Sequence, residues 1–372
     1  MSALKKKQAT PKSNSPPTTP AKTGQRITLR DIAKAVGVTP VSVSLALRNS
    51  HRVSESMRQK IQQTALTMGY RPDPMLAALA HYRRGNVKSP VSAELAWINC
   101  WPDPKKLRSH KEFNLYWSGA FEEAEKCGYR LEEFHLDKKL STTRLEQILR
   151  ARNIQGILLP PASSLPHPDW HNFQWDKFCA VRFGYSFQNP RVHIVSSDQL
   201  ANGLIACENI QRLGYQRIGL VTGENSVVRF AAGYLYHQMR LGYVAQLLPL
   251  ILREASREED RRALAAWIKK FKPDAIFTDC GRLRDMLAEL NLRVPQDLGL
   301  ASTTTLDGNT DAGIYQNSDE IGRAAVQLVI SLIHHNDCGI PQVCREVLIE
   351  GNWADGGSLP AIGKQTGRSR SP

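Results

Sequence analysis

Val41, Leu45 and Arg48 occupy positions i, i+4 and i+7 of a segment with helical periodicity, so they should share one helical face. Branched apolar side chains suit the methyl group of thymine, and the guanidinium of Arg48 can fork onto guanine or reach a phosphate. The alternative is that Val41 and Leu45 pack against the segment after residue 72 or another neighbour. Hydroxyl groups around this face suit phosphate oxygens. They belong to Thr28, Thr39, Ser42 and Ser44.

The positive charge of the chain is concentrated at its start. Residues 1–90 contain 16 Lys or Arg against three acidic residues, a net of +13 within a total of +14. Such an asymmetry favours a polyanionic partner for this first quarter and a nearly neutral role for the remainder. A purely solubilising basic tail is the alternative, but the basic region also has the apolar periodicity of a folded domain.

Residues 28–70 are predicted to form three short helices around one small apolar core. Thr28 and Thr39 are expected to cap the first two helices, and Gly37 should end the first with a positive φ. Ser54 is expected to cap the third. A helix, a turn of about four residues containing glycine and a second helix form the geometry that places a helix in a DNA groove. A generic protein-binding bundle is the alternative.

Two segments beside this head have different compositions. Residues 1–25 contain Lys, Pro, Ser and Thr with few bulky apolar side chains, so they are predicted to be disordered. Residues 74–84 begin with Pro74 directly after a capping Asp73, and their apolar side chains point to every side of a short helix. A helix of this length is marginal in water and needs a partner. That partner is another domain, a second subunit or DNA.

Residues 93–353 alternate short apolar runs with amphipathic segments, which predicts parallel sheets covered by helices. A helix followed by Gly-Tyr and a strand occurs at 128 and again at 214, as expected of two similar subdomains in series. Ligands of such sheets bind at the carboxyl ends of strands. The predicted strands are 93–99, 131–134, 156–159, 178–183, 218–222, 275–278, 298–302 and 347–350. The predicted helices are 115–126, 142–152, 200–213, 233–247, 257–271 and 321–334.

Several function classes find little support in the sequence. The chain has no run of 18 apolar residues that would span a membrane and no phosphate-binding, dinucleotide or zinc-protease motif. We therefore expect no enzyme activity, no cofactor and no metal. The seven cysteines contain no Cys-x-x-Cys, which is typical of reduced, inert thiols in an intracellular protein. A solute-binding protein or an enzyme on the same α/β scaffold remains the alternative to a regulator.

Residues 27–82 resemble the head of lactose-repressor-type (LacI/GalR) regulators. The strings that carry the resemblance are 27–34, Gly37-Val38-Thr39, Val43-Ser44, Arg52-Val53-Ser54 and Gly69-Tyr70-Arg71-Pro72. The similarity extends more loosely to about Gly357. It implies a cytoplasmic, homodimeric transcription regulator, expected to be a repressor, whose operator contacts include Arg52. It also implies a minor-groove hinge helix containing Leu76 and Leu79. Leu79 resembles the family leucine that wedges between base pairs, although a dimer or core contact is the alternative.

The resemblance further implies a periplasmic-binding-protein-like body that senses a small molecule, for which a sugar or sugar derivative is one expected class. Candidate effector contacts are Trp101, Arg229, Asp279 and Gln316. Trp101 and Asp279 stand at or beyond predicted strand ends, whereas Arg229 and Gln316 are approximate family matches. A packed or partly exposed aromatic residue is the alternative for Trp101.

The sequence departs from the family pattern at several functional positions. Leu45 and Arg48 replace the usual polar reader and asparagine, and Ala77 and Ala80 replace basic hinge residues. The common Asn-Asp pair of the cleft aligns with Cys280-Gly281. A later aspartate pair aligns with Thr304-Thr305, and Arg229 is one residue out of register. These changes leave the effector identity open.

The expected fold is an all-α helix-turn-helix head plus an α/β body of two doubly wound parallel-sheet subdomains. Five segments are predicted. They are a disordered tail over 1–25, the DNA-binding domain over 26–72, a hinge and linker over 73–92, the sensing body over 93–357 and a flexible tail over 358–372.

Overall fold

The structure is a computed structural model of the chain. It describes residues 27–47, 52–70, 93–137, 140–163, 168–187, 189–223, 228–242, 247–253 and 256–363. The chain divides into two compact units, Met1–Pro74 and Met75–Pro372. The predicted tail over 1–25 and the hinge over 73–92 lie outside the described residues. Among the described helices, none is both long enough and apolar enough to cross a lipid bilayer.

The first unit contains the three predicted helices, α1 (Leu29–Val36), α2 (Pro40–Leu47) and α3 (Glu55–Thr67). Thr28 caps α1 in a reciprocal box with Asp31, and Gly37 ends the helix with φ 80°. Its core comprises Ile32, Ala33, Val43, Ala46, Ile61 and Ala65. The predicted cap of α3 is wrong in one respect, because the Ser54 side chain makes no capping hydrogen bond.

The second unit has two lobes. Lobe 1 comprises residues 93–197 and 318–349. Its strands are β1 (Ala93–Asn99), β2 (Tyr129–His135), β3 (Gly156–Leu159), β4 (Cys179–Phe183), β5 (His193–Ser197) and β11 (Glu346–Ile349). Its helices are α4 (Pro104–Ser109), α5 (Lys111–Lys126), α6 (Thr142–Ala151) and α11 (Ser318–His335). The sheet order is β11-β5-β4-β3-β1-β2, and every neighbouring pair is parallel.

Lobe 2 comprises residues 199–315 and 352–363. Its strands are β6 (Ile218–Gly223), β7 (Leu250–Leu252), β8 (Ala275–Thr278), β9 (Gly299–Ser302), β10 (Gly313–Tyr315) and β12 (Asn352–Ala354). Its helices are α7 (Gln199–Arg212), α8 (Val228–Arg240), α9 (Arg257–Phe271) and α10 (Leu283–Glu289). The order β12-β10-β9-β8-β6-β7 repeats the winding of lobe 1, and only the β10–β12 pair is antiparallel. The prediction of two similar doubly wound subdomains is confirmed.

The chain crosses between the lobes three times, near residues 198, 317 and 350. The crossovers are joined to one another by hydrogen bonds. Asp198 N donates to Ile349 O over 2.7 Å, and Asn317 Nδ2 donates to Glu350 O over 2.8 Å. Each lobe is therefore built from two separate stretches of sequence.

Helices α5 and α11 cross closely in lobe 1 because each has a glycine at the contact. A Cβ added to Gly119 would lie 1.9 Å from Asp319 O, and one added to Gly322 would lie 2.2 Å from Tyr116 O. The neighbouring atoms are backbone, so no side-chain rotation can relieve either contact.

Three sequence-based predictions are wrong. Cys179 and Cys338 form a disulfide, because α11 packs on β4 and brings together cysteines that are 159 residues apart. The C-terminal tail does not begin at 358, since Leu359 is buried in the lobe 2 core and Ile362 N donates to Leu213 O. The helix predicted over 233–247 spans Val228–Arg240, because Gly233 packs inside the helix instead of starting it.

Candidate nucleic-acid interface and interlobe cleft

Helix α2 presents a face without charged side chains. Val41 is 67% exposed and Leu45 is half-buried, whereas Val43 and Ala46 on the opposite side are completely buried. Of the positions that the periodicity assigned to base contacts, Val41 is thus exposed and Leu45 is partly exposed. Arg48 lies outside the described residues, as do Leu76 and Leu79 of the predicted hinge.

The hydroxyl groups expected to meet phosphates already organise the helix ends. Thr28 Oγ1 donates to Asp31 Oδ2 over 2.7 Å, and Thr39 Oγ1 accepts from Ser42 N over 3.1 Å. Thr28 and Thr39 are exposed, Ser42 and Ser44 are half-buried, and Arg52 is exposed. Helix α2 is also tied to α3, because Gln62 Nε2 donates to Ala46 O over 3.0 Å. This geometry fixes the orientation of the exposed face.

In lobe 1, the predicted residue Trp101 lies at the point where the strand order reverses, between β1 and β3. Its indole Nε1 donates to Pro161 O, which follows β3, over 2.7 Å. The half-buried indole is also 5.4 Å from the His110 ring and 6.4 Å from the Phe113 ring. Such a crevice is where open α/β sheets bind ligands. Trp101 is therefore both partly packed and placed at a ligand-binding edge.

In lobe 2, Asp279 lies at the corresponding reversal, between β6 and β8. Its carboxylate accepts from Thr222 Oγ1 over 3.0 Å and from Gly223 N over 3.3 Å. Gln316, at the second crossover, is buried and donates from Nε2 to Thr303 O, just beyond β9, over 2.9 Å. Two of the four predicted effector residues thus lie at the reversal points of their lobes, and a third lies at a neighbouring strand end.

Arg229 makes contacts from lobe 2 to lobe 1. Its guanidinium lies 3.3 Å from a carboxylate oxygen of Glu346 and 4.0 Å from the centre of the Tyr185 ring. Tyr185 donates to Glu346 over 3.1 Å, and burial with the nearby carboxylate raises the pKa of Tyr185 to about 12. The predicted effector arginine is thus engaged in an interlobe contact.

A second interlobe contact lies at the start of α5. The carboxylate of Asp307, in the loop between β9 and β10, accepts from the backbone N–H groups of Lys111 and Glu112, each over 3.0 Å. Burial raises the pKa of the Glu112 carboxyl to about 7, although the nearby Thr304 and Ser318 hydroxyls act in the opposite direction. The start of α5 therefore places a helix N-terminus next to a buried carboxyl group.

Sequence reasoning missed Glu112, Asp307, Tyr185 and Glu346. A signal existed for Asp307, because it stands two positions after Thr305 and directly before Gly308. Thr304-Thr305 is the pair that aligns with the family's aspartate pair. The other three act through partners that are distant in sequence, which no local pattern indicates.

Two family profiles match the chain. The profile described as bacterial regulatory proteins, lacI family, matches residues 28–73. The profile described as periplasmic binding protein-like domain matches residues 208–358. The two profiles fall on the helical head and on the α/β body, respectively.

Curated relatives extend over nearly the whole chain. The transcriptional regulator MalR of Streptococcus pneumoniae is 20% identical over 333 residues, 87% of this chain and 97% of that protein. The transcriptional repressor CytR of Escherichia coli is 24% identical over 347 residues, 87% of this chain and 96% of that protein. The regulator GalS of Salmonella typhimurium is 43% identical over 54 residues, 14% of this chain and 16% of that protein.

Solved structures have the same fold. A complex of the transcriptional regulator CelR with cellobiose has a TM-score of 0.54 at 18% identity and covers 90% of this chain and 100% of its own. A LacI transcriptional regulator from a Rhodococcus species has a TM-score of 0.55 at 14% identity and covers 72% of this chain and 99% of its own. The names of the relatives confirm a regulator instead of an enzyme. From its head, its body and its full-length relatives, the chain belongs to the LacI family of DNA-binding transcription regulators.

Proposed function

We propose that this regulator is a cytoplasmic homodimeric repressor. Its α2 helices read an operator, and a small molecule in the interlobe cleft changes its affinity for that operator. The observation that carries the proposal is that one chain combines an exposed, uncharged α2 face with a two-lobed body. In each lobe of that body, a polar contact lies where the strand order reverses. Two heads related by a twofold axis would contact successive half-sites.

We assign base contacts to Val41, Leu45 and Arg48, and phosphate contacts to the surrounding hydroxyls and Arg52. The two side chains suit thymine methyl groups because they are apolar, and the α2 sequence Pro40–Leu47 contains no charged residue. We assign Leu76 and Leu79 to the minor-groove hinge. These assignments predict that the operator contains thymine opposite α2.

We assign the effector to the cleft between Trp101 and Asp279, with Gln316 and Arg229 as further contacts. An aromatic surface with a few placed polar groups is typical of a small-molecule site. Solved relatives include a complex of CelR with cellobiose and a LacI-family regulator from Enterococcus faecium with bound ribose, so sugars are the first class to screen.

The proposal is tested on operators selected from random duplexes. Val41→Ala removes apolar contact worth about 1–2 kcal/mol, so the Kd for the selected operator should rise roughly 5- to 30-fold. Leu66→Ala is the matched control, because Leu66 is 74% exposed on α3. This variant should bind the operator normally. Arg48→Ala should weaken operator binding by about 1–3 kcal/mol but should weaken binding to random DNA much less. An equal loss on both DNAs would make Arg48 a phosphate contact.

Effector control is tested with the same operator. Sugars that raise the melting temperature of the body should also change operator affinity, and the operator must change sugar affinity by the same factor. Trp101→Ala and Asp279→Asn should abolish both effects while operator affinity without sugar persists. A ligand that protects only the head from proteolysis would contradict the cleft assignment.

A further inference from the structure

The N-terminus of α5 receives its cap from the opposite lobe. The first backbone N–H groups of a helix have no partner within it, and the helix dipole favours negative charge there. Helix α5 has 16 residues, and the preceding residue, His110, makes no side-chain capping hydrogen bond. Asp307 instead accepts from Lys111 and Glu112 with both carboxylate oxygens. A function that is ordinarily local is thus performed across 195 residues of sequence.

Buried polar atoms adjoin this contact. Glu112 is nine-tenths buried and Ser318 is completely buried. In the described part of the chain, Glu112 Oε1 has no hydrogen-bond partner, and Ser318 lies close enough to the Glu112 carboxyl to lower its pKa. Buried polar groups without partners are unfavourable and are commonly satisfied by water or a ligand. The contact therefore lies beside a group that a polar molecule could satisfy.

The Arg229 contact with Glu346 and Tyr185 joins the same two lobes through a different pair of elements. Separation of the lobes would break this contact as well as the Asp307 contact. The described body therefore has two interlobe contacts that involve charged side chains.

We propose that Asp307 acts as an internal anionic ligand, which holds the lobes together without an effector and excludes small anions from the N-terminus of α5. The inference rests on the proposed function, because it concerns the cleft assigned there to the effector. It also bears on the effector class. Asp307 and Asp279 bring negative charge to the cleft, and Arg229, the cation among the assigned contacts, is already paired with Glu346. An uncharged or cationic molecule is therefore favoured over a phosphorylated or carboxylated one.

The test uses the full chain without DNA and without an organic effector, and inorganic phosphate is the probe. Asp307→Ala should lower the melting temperature of the body. It should also accelerate hydrogen exchange of the Lys111 and Glu112 amides by about tenfold or more. Phosphate should then bind the vacated N–H groups, restore their protection and raise the melting temperature saturably. The wild-type protein should show no such response beyond that to chloride at equal ionic strength.

Asp103→Ala is the matched control, because Asp103 caps the six-residue α4 within lobe 1. It should lower stability without producing a phosphate response at α5. If Asp307→Ala does not fold, Asp307→Asn retains one acceptor oxygen and should show partial loss of amide protection.

The inference would be overturned if the Lys111 and Glu112 amides kept their protection in both Asp307 variants. It would also be overturned if Asp307→Ala showed no response to phosphate. Failure here would leave operator binding untouched. Failure of sugar-linked operator binding would leave the amide and phosphate results standing.

Discussion

The crossing of α5 and α11 predicts that Gly322→Ala destabilises the body. The added Cβ would lie 2.2 Å from Tyr116 O and 2.7 Å from Ala120 N, both backbone atoms of α5. A relaxed contact needs roughly 1 Å more, so one helix must move away from the other. Overpacking of this kind typically costs about 1–3 kcal/mol, and a contact between backbones belongs at the upper end. The higher helix propensity of alanine returns up to about 1 kcal/mol.

The net expectation is a loss of about 2 kcal/mol, which corresponds to roughly 4–8 °C in melting temperature for a domain of this size. Calorimetry of the full chain measures it, provided that the transition of the body is reversible. Gly281→Ala is the matched control, because its added Cβ would meet Asp307 O at an ordinary 3.4 Å. If the two variants had the same melting temperature, the helices would not cross as closely in solution as described.

Two further expectations concern protonation and the hinge. Burial raises the pKa of Glu112 from 4.5 to about 7, so the folded body holds a proton that the unfolded chain releases. The resulting stability is full below pH 4.5 and is lost as pH rises through 7. Urea unfolding should therefore show wild-type stability falling relative to Glu112→Gln between about pH 5 and 8, and parallel profiles would contradict this. Leu79→Ala should weaken operator binding and reduce DNA bending, measured by energy transfer between dyes at the operator ends. An unchanged bend would leave Leu79 as a packing residue.

The head could be predicted closely because its signals are local. Thr28, Gly37 and Thr39 each act within four residues of their own position, so spacing alone locates the helix ends. The same reasoning predicts α9 and β8 with the bounds observed. Family resemblance added the pairing of a helix-turn-helix head with a periplasmic-binding-protein-like body, which the family profiles confirm.

Elements whose existence depends on tertiary contacts were missed. Strands β10 and β12 have three residues each and are defined by their pairing with each other. Glycine is unfavourable inside helices, and the predicted helix begins at Gly233. In the structure a Cβ there would lie 2.4 Å from Leu200 O on α7, so close packing overrides propensity.

The candidate site divides in the same way. Trp101 and Asp279 follow strands, and strand ends are visible in the sequence. The Arg229–Glu346 and Asp307–α5 contacts join residues more than 100 positions apart. Their formation depends on how the lobes close, which no local pattern encodes.

The three crossovers have a consequence for how the protein is synthesised. The β11 strand pairs with β5 through Glu346 and Ile194, so neither the first sheet nor its cover helix α11 is complete until nearly the whole chain has left the ribosome. The head needs only residues up to about 70, and its helical contacts are local, so it can fold early. Premature termination within the body would therefore release fragments that retain the helix-turn-helix head without a folded body. Quality control of such fragments is expected to matter for a regulator built in this order.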